Sequence, residues 1–225
     1  AVVPPLIGLL ETSPVSLRIK IVRALGCIGD PAAQAAVLKE LRSGDPDLRA
    51  EAARALASVG DTTAIEPLTH ALHDDSREVR AAVIRSLAVI GGQQAVPLLV
   101  TALRDQDAWV RSTAAYTLGE MQPTVVKADP HAVPALINVL TDPYQVAKVN
   151  AAKTLATLQD PRAIDPLIAA LNDKDQFVRQ AVVESLGLLR AARVVPVLMQ
   201  RYRQDHAVHD AVLNALATIG DPRAI

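Results

Sequence analysis

The chain has 225 residues, and 23 Lys and Arg stand against 24 Asp and Glu for a formal net charge of -1. That balance excludes a bulk pull towards nucleic acid or an anionic membrane surface, so any electrostatic preference has to be local. Half of the residues are hydrophobic but only five are aromatic (Trp109, Tyr116, Tyr144, Phe177 and Tyr202), a mixture rich in Ala, Leu and Val that suits closely packed helices.

A single cysteine, Cys27, excludes an internal disulfide and a cysteine metal cluster. It favours a reducing, cytoplasmic setting and reads as a small buried hydrophobe. No run reaches the ~18 uninterrupted apolar residues of a membrane span, and no signal-peptide pattern opens the chain.

Taken in chain order, the elements fall on one ruler. Arg18, Arg49, Arg80 and Arg111 follow one another at intervals of 31, Lys148 comes 37 later, Arg179 another 31 and His209 another 30. The preceding residue is Leu17, Leu48, Val79, Val110, Ala147, Val178 or Val208. Counting from the ruler residue, positions +3, +4, +7 and +10 are apolar, as in Ala52, Ala53, Leu56 and Val59 or Val83, Ile84, Leu87 and Ile90, which is a helical stripe. An earlier run such as Ala64, Ile65, Leu68, Ala71 and Leu72 is a preceding helix, often opened by a proline near its first turn (Pro67, Pro97, Pro134, Pro166, Pro196).

Each unit is thus a helical hairpin of about 31 residues, too small to cover its own apolar faces, so that neighbours must stack. The expected fold is all-α, a right-handed alpha-alpha superhelix of about seven hairpins forming a single domain over 1–225. Its units are approximately 1–28, 29–59, 60–90, 91–121, 122–158, 159–189 and 190–219. Six extra residues, approximately 122–127, lengthen the turn before the fifth unit, and one residue is missing near 204–207. The chain opens without an initiator Met and stops at Gly220-Asp221-Pro222-Arg223-Ala224-Ile225, which is how its repeats begin. The expectation is a piece of a longer array, or one whose end is disordered or removed.

The pattern Asp-Pro-Arg-Ala-Ile-x-Pro-Leu-Ile-x-Ala-Leu-x-Asp-x-Asp-x-x-Val-Arg, complete over residues 160–179, resembles the HEAT-like repeat of the phycobilisome lyase type, and the resemblance covers essentially the whole chain. Because its motif residues are packing and turn residues, it implies a fold and leaves function open. Members of that family include bilin lyase subunits, phycobilisome-related factors, iron-sulfur assembly factors, deoxyhypusine hydroxylase and plain interaction scaffolds. The hydroxylase activity would need His-Glu pairs in the second helices. Here those positions hold Ala50-Glu51, Ala81-Ala82, Ser112-Thr113, Val149-Asn150 and Gln180-Ala181, which excludes it.

The ruler arginines, with Asp45, Asp107 and Asp175 four residues earlier and Asp74, Asp105, Asp142 and Asp173 near the preceding turns, read as a structural ladder of helix caps and ion pairs. The solvent side of the second helix is expected around +5, with +1, +2 and +9 beside it. At +5 stand Arg23, Arg54, Arg85, Tyr116, Lys153, Glu184 and Asn214, a row that begins basic and loses its charge halfway. This row, on the expected concave face, is the first candidate partner-binding surface, through Arg23, Arg54, Arg85, Tyr116 and Lys153. An alternative patch at -2 holds Trp109, Val146 and Phe177, with Tyr144 nearby. These aromatics either anchor a partner or cover the joint beside the insertion.

Neither a phosphate-binding glycine loop nor a nucleophile elbow nor a zinc-protease helix is present. His70 and His73 beside Asp74, and His206 and His209 beside Asp205 and Asp210, lack a third and fourth metal ligand and read as solvated surface groups. No catalytic residue and no metal ligand is assigned. The leading expectation is a non-catalytic scaffold that binds another protein, an acidic segment or helix, with no cofactor; a sustained basic face for nucleic acid is missing. The alternative implied by the resemblance is a bilin lyase or phycobilisome-related subunit that handles an open-chain tetrapyrrole, its arginines pairing with propionates.

Overall fold

A computed structural model describes residues 2–222. Among them are fifteen α-helices and no strand. In chain order the helices are α1 (Val3–Leu10), α2 (Val15–Ile28), α3 (Gln34–Glu40), α4 (Pro46–Val59), α5 (Ile65–Ala71), α6 (Arg77–Gly91), α7 (Ala95–Ala102), α8 (Ala108–Glu120), α9 (Pro123–Lys127), α10 (Ala132–Val139), α11 (Gln145–Leu158), α12 (Ile164–Ala170), α13 (Gln176–Leu188), α14 (Val195–Gln204) and α15 (His209–Ile219). The fold is an all-α helical repeat, with the first and second helices of each repeat falling where the ruler places them. Of the further repeat that begins at 220, residues 223–225 lie outside the described part.

Local chemistry explains the punctuation. In the Asp-Pro-Arg-Ala-Ile motif, Asp160 accepts a hydrogen bond from the Arg162 amide and so starts a short 3-10 turn, Pro161–Ala163, that leads into α12. Asp30 and Asp61 do the same before α3 and α5. Second helices begin on Asp45, Asp107 and Asp175, whose side chains accept from the backbone amides of the first turn. They end differently from one another: Gly29 takes a left-handed φ of 70°, and Gln159 occupies the same region at φ 52° while its side-chain amide donates to the carbonyls of Ala156 and Leu188.

The chain divides into two compact units, the first ending at Ala102 and the second beginning at Leu103. In the first unit α1 packs on α2, α3 on α4 and α5 on α6, and the second helices α2, α4 and α6 lie side by side. In the second unit α8, α11, α13 and α15 form the corresponding row, backed by α10, α12 and α14. Within each unit second helix packs on second helix far more extensively than first on first, which makes the second helices the inner layer. The ruler -1 residues Leu48, Val79, Val110, Ala147, Val178 and Val208 are buried between layers.

Close approach of the second helices follows from small residues at two linked positions. Position +8 of one repeat meets +6 of the next: Gly26 lies against Ala55, Gly119 against Thr154 and Gly187 against Ala215, and a Cβ on Gly187 would stand 2.8 Å from the Cα and Cβ of Ala215. Where +6 carries a hydroxyl, it donates to the +4 carbonyl of the previous repeat, Ser86 to Ala53 at 2.5 Å and Thr154 to Ala115 at 2.7 Å.

The structure corrects three sequence expectations. The extra residues are not a lengthened turn: they form α9, started by Gln122 and closed into the core by a fully buried Val126 that packs beside α10 and α11. Cys27 is exposed, because the +9 position of α2 points outward. Positions +1 and +2 are not part of the solvent face in α4, α6 and α8, where Ala50, Glu51, Ala81, Ala82, Ser112 and Thr113 are all buried by the adjacent second helix. One stretch, Arg77–Ala102, has the length and composition of a candidate membrane span, but Gly92 at φ 49° reverses the chain there, and α6 and α7 fold back on each other.

Candidate functional site

The ruler residues are occupied internally. Arg49 donates from Nε and Nη2 to Asp74 at 2.7 and 2.8 Å, Arg111 to Asp142 at 2.6 and 2.9 Å, and Arg179 to Asp205 at 2.6 and 3.3 Å. Lys148 reaches Asp173 at 2.5 Å, and Arg18 pairs with Glu40 where Ser43 replaces the expected Asp. Arg49, Arg111 and Arg179 also donate through Nη1 to two turn carbonyls of their own repeats, as Arg111 does to Asp105 and Gln106. Of the two arrangements open from sequence, the pair therefore runs to the next repeat, and these cations are not available to a ligand.

What remains outward is a narrow stripe. In the second helices, positions -2, +5 and +9 lie seven and four residues apart, hence within ~40° of one line along the helix. This geometry merges the two sequence candidates: Trp109 and Tyr116 share one face of α8, Val146 and Lys153 one face of α11, and Phe177 and Leu188 one face of α13, all of them exposed.

In the first unit the stripe carries Arg23, Arg54 and Arg85 on three adjacent helices, all exposed. The sequence reading missed their organiser. Glu51, at +2 of α4 and only 7% exposed, accepts from Arg23 Nε at 2.9 Å and Arg23 Nη2 at 3.1 Å, and its second oxygen also accepts from Arg54 Nη1 at 3.0 Å. The hydrogen bonds from Arg23 hold the Glu51 carboxyl below the usual carboxylate range against the opposing effect of burial, and the Arg23 pKa is raised in return. The signal was present as a Glu three residues before one row arginine and one repeat away from another. Arg85, on α6, has no ion-pair partner among the described residues.

In the second unit Tyr116 is 53% exposed and Lys153 is exposed on the neighbouring helix. Trp109 is 36% and Phe177 57% exposed, while Tyr144 sits at the N-cap of α11, its amide donating to Asp142 at 2.8 Å. Glu184, next along the row, accepts from Gln180 on its own helix. No group of three His, Cys, Asp or Glu that can hold a metal comes together among the described residues. His209 is stacked on Tyr202 with ring centroids 4.3 Å apart and lies 4.6 Å from His206, an aromatic cluster rather than a ligand set.

Comparison with known proteins bears on the fold. The sequence matches HEAT repeats over residues 3–88, 65–148 and 133–208. No curated protein matches it. Among solved structures, YibA of Escherichia coli aligns over 99% of this chain and 83% of its own with a TM-score of 0.71 and 23% identity. An engineered protein aligns over 97% of this chain and 68% of its own, with a TM-score of 0.62 and 25% identity. The complex of CpcE and CpcF of phycocyanin lyase from Nostoc sp. PCC7120 aligns over 100% and 95%, with a TM-score of 0.59 and 21% identity.

Proposed function

The chain belongs to the HEAT-repeat family, and from that premise we propose that it is a non-catalytic scaffold whose first unit holds an acidic segment or helix of another protein on Arg23, Arg54 and Arg85. The observation that carries this reading is the contrast between two sets of cations. The ruler cations are consumed by the ladder, whereas the +5 arginines face outward, in register, on three neighbouring helices of the inner layer. Tyr116 and Lys153 occupy the equivalent stripe of the second unit and extend the set of candidate contacts, with Trp109, Tyr144 and Phe177 as its apolar members. A reducing, cytoplasmic setting is the one in which an exposed, unpaired Cys27 persists.

The test is affinity capture from source-cell lysate with the full chain, set against Arg54→Gln/Arg85→Gln. This pair leaves Arg23 on Glu51 and so spares the half-buried contact. The expected result is one identified partner, rich in Asp and Glu, retained by the parent and lost by the variant and in high salt. The same catch from both would end the reading. A bilin-handling role draws only a shared fold from the comparisons, and the two arginines best placed for propionates already share Glu51. Its signature is visible absorbance or induced circular dichroism on adding tetrapyrrole, abolished in the same variant.

A further inference from the structure

We propose that Arg23, Glu51 and Arg54 form one preorganised carboxylate receptor, with Arg85 as a second point of attachment one helix further along, and that its occupant is a helix carrying acidic residues seven positions apart. The proposal rests on the scaffold reading above and adds to it a geometry and a residue, Glu51, whose role is to position the arginines.

A guanidinium has five N–H donors. Glu51 takes two from Arg23 and one from Arg54, so seven are left between them. Because both arginines hydrogen-bond the same buried carboxylate, their guanidinium groups are drawn together over one site although they come from different helices. Long side chains normally lose much rotamer freedom when they bind an anion; here part of that loss is already incurred in the free protein. The receptor keeps a net charge of +1, one negative group against two positive ones. A simple attraction model treats Glu51 as unfavourable, since it cancels half of the local charge. The positioning model treats it as favourable, and the two predict opposite signs for its removal.

Arg85 fixes the spacing. Packed helices stand roughly 8–10 Å apart, and one face of an α-helix repeats every seven residues, or about 10.5 Å. A partner helix laid across α2, α4 and α6 therefore places one carboxylate on the receptor and the next on Arg85. An extended strand repeats its face at roughly 6.6 Å or 13 Å and misses one of the two.

The experiment is a fluorescence anisotropy titration of the full chain with a labelled, amidated, alanine-rich helical peptide of roughly 15 residues. One version carries two glutamates seven residues apart, and a control of identical composition carries them five apart, on different faces. The seven-spaced peptide is expected to bind about fivefold or more tighter. Arg54→Lys, which keeps the charge and loses the fork, and Glu51→Gln, which adds net positive charge, are each expected to weaken it by about fivefold. Tighter binding to Glu51→Gln, or parental binding to Arg54→Lys, overturns the proposal. Arg54→Lys lies on the surface and decides the question even if Glu51→Gln fails to fold. If the receptor fails while the Arg54→Gln/Arg85→Gln variant still loses its captured partner, the scaffold reading stands and only the positioning role is refuted.

Discussion

Replacing Arg111 by Met removes one rung of the ladder and keeps most of the apolar stem. Arg111 donates four hydrogen bonds, two to Asp142 and two to the carbonyls of Asp105 and Gln106, and the side chains of the pair are only 15% and 7% exposed. Without the guanidinium, Asp142 is a buried carboxylate left to the Tyr144 amide. Breaking a buried pair from one side costs roughly 3–5 kcal/mol; the residual opening at this rung places the expected loss near the lower end, about 3 kcal/mol. For a chain of this size that is about 6–12 °C in Tm. The pH dependence identifies the cause. Burial pushes the Asp142 pKa up, but the hydrogen bond from Arg111, with the Tyr144 amide and the Arg111 charge, brings it below the ordinary value. A carboxyl depressed on folding contributes stability that is present above its unfolded pKa, about 3.9, and is lost as pH falls through the folded value. In Arg111→Met the burial effect stands unopposed, so the penalty should shrink below about pH 4, and adding Asp142→Asn at neutral pH should recover about half of it. Thermal and urea unfolding followed by circular dichroism between about pH 3 and 7 read this directly. A penalty under about 1 kcal/mol, or one unchanged at about pH 3, refutes the account.

Two further changes probe the helix packing. Gly187→Ala puts a methyl 2.8 Å from Ala215 and should cost about 1–3 kcal/mol by urea titration, with Ala215→Gly in the same chain restoring most of it; an unchanged midpoint would mean that the helices slide apart freely. Val126→Ala should lower stability by about 2 kcal/mol, since Val126 is fully buried; a neutral result would show that α9 is an ornament on the fifth repeat rather than part of its core.

The repeat was legible because ladder residues recur at a fixed interval. Asp74, Asp142, Asp173 and Asp205 are needed wherever a ruler cation must be matched in the next repeat, so spacing alone exposed them. The outward stripe was only half legible. A single helix turned at about 100° per residue places +1 and +2 beside +5, but the next second helix, brought in by the glycines and alanines at +8 and +6, covers them. Glu51 was lost in that error. Its burial between two repeats is a tertiary fact that periodicity within one helix does not contain. The insertion was misjudged for a related reason: Val126 looks like a loop residue until the space beside α10 and α11 is known to need filling.

That coverage bears on how such a chain can acquire a function at all. With the ruler, its -1 neighbour and the +3, +4, +6, +7, +8 and +10 positions committed to packing, a second helix retains chiefly -2, +5 and +9 for contact with anything else. Three positions per repeat are free to vary without touching the core. In the first unit they carry Asp47 and Glu78 at -2 against Arg23, Arg54 and Arg85 at +5, two rows of opposite sign about 10 Å apart along the helices. In the second unit the -2 row turns apolar with Trp109, Val146 and Phe177. A partner helix seated on the +5 row of the first unit therefore meets a repelling row on one side if it is acidic all round, and an attracting one if its flank is basic. Discrimination comes from that second row, and reversing Asp47 and Glu78 to Lys should let a uniformly acidic helix bind as well as a two-faced one.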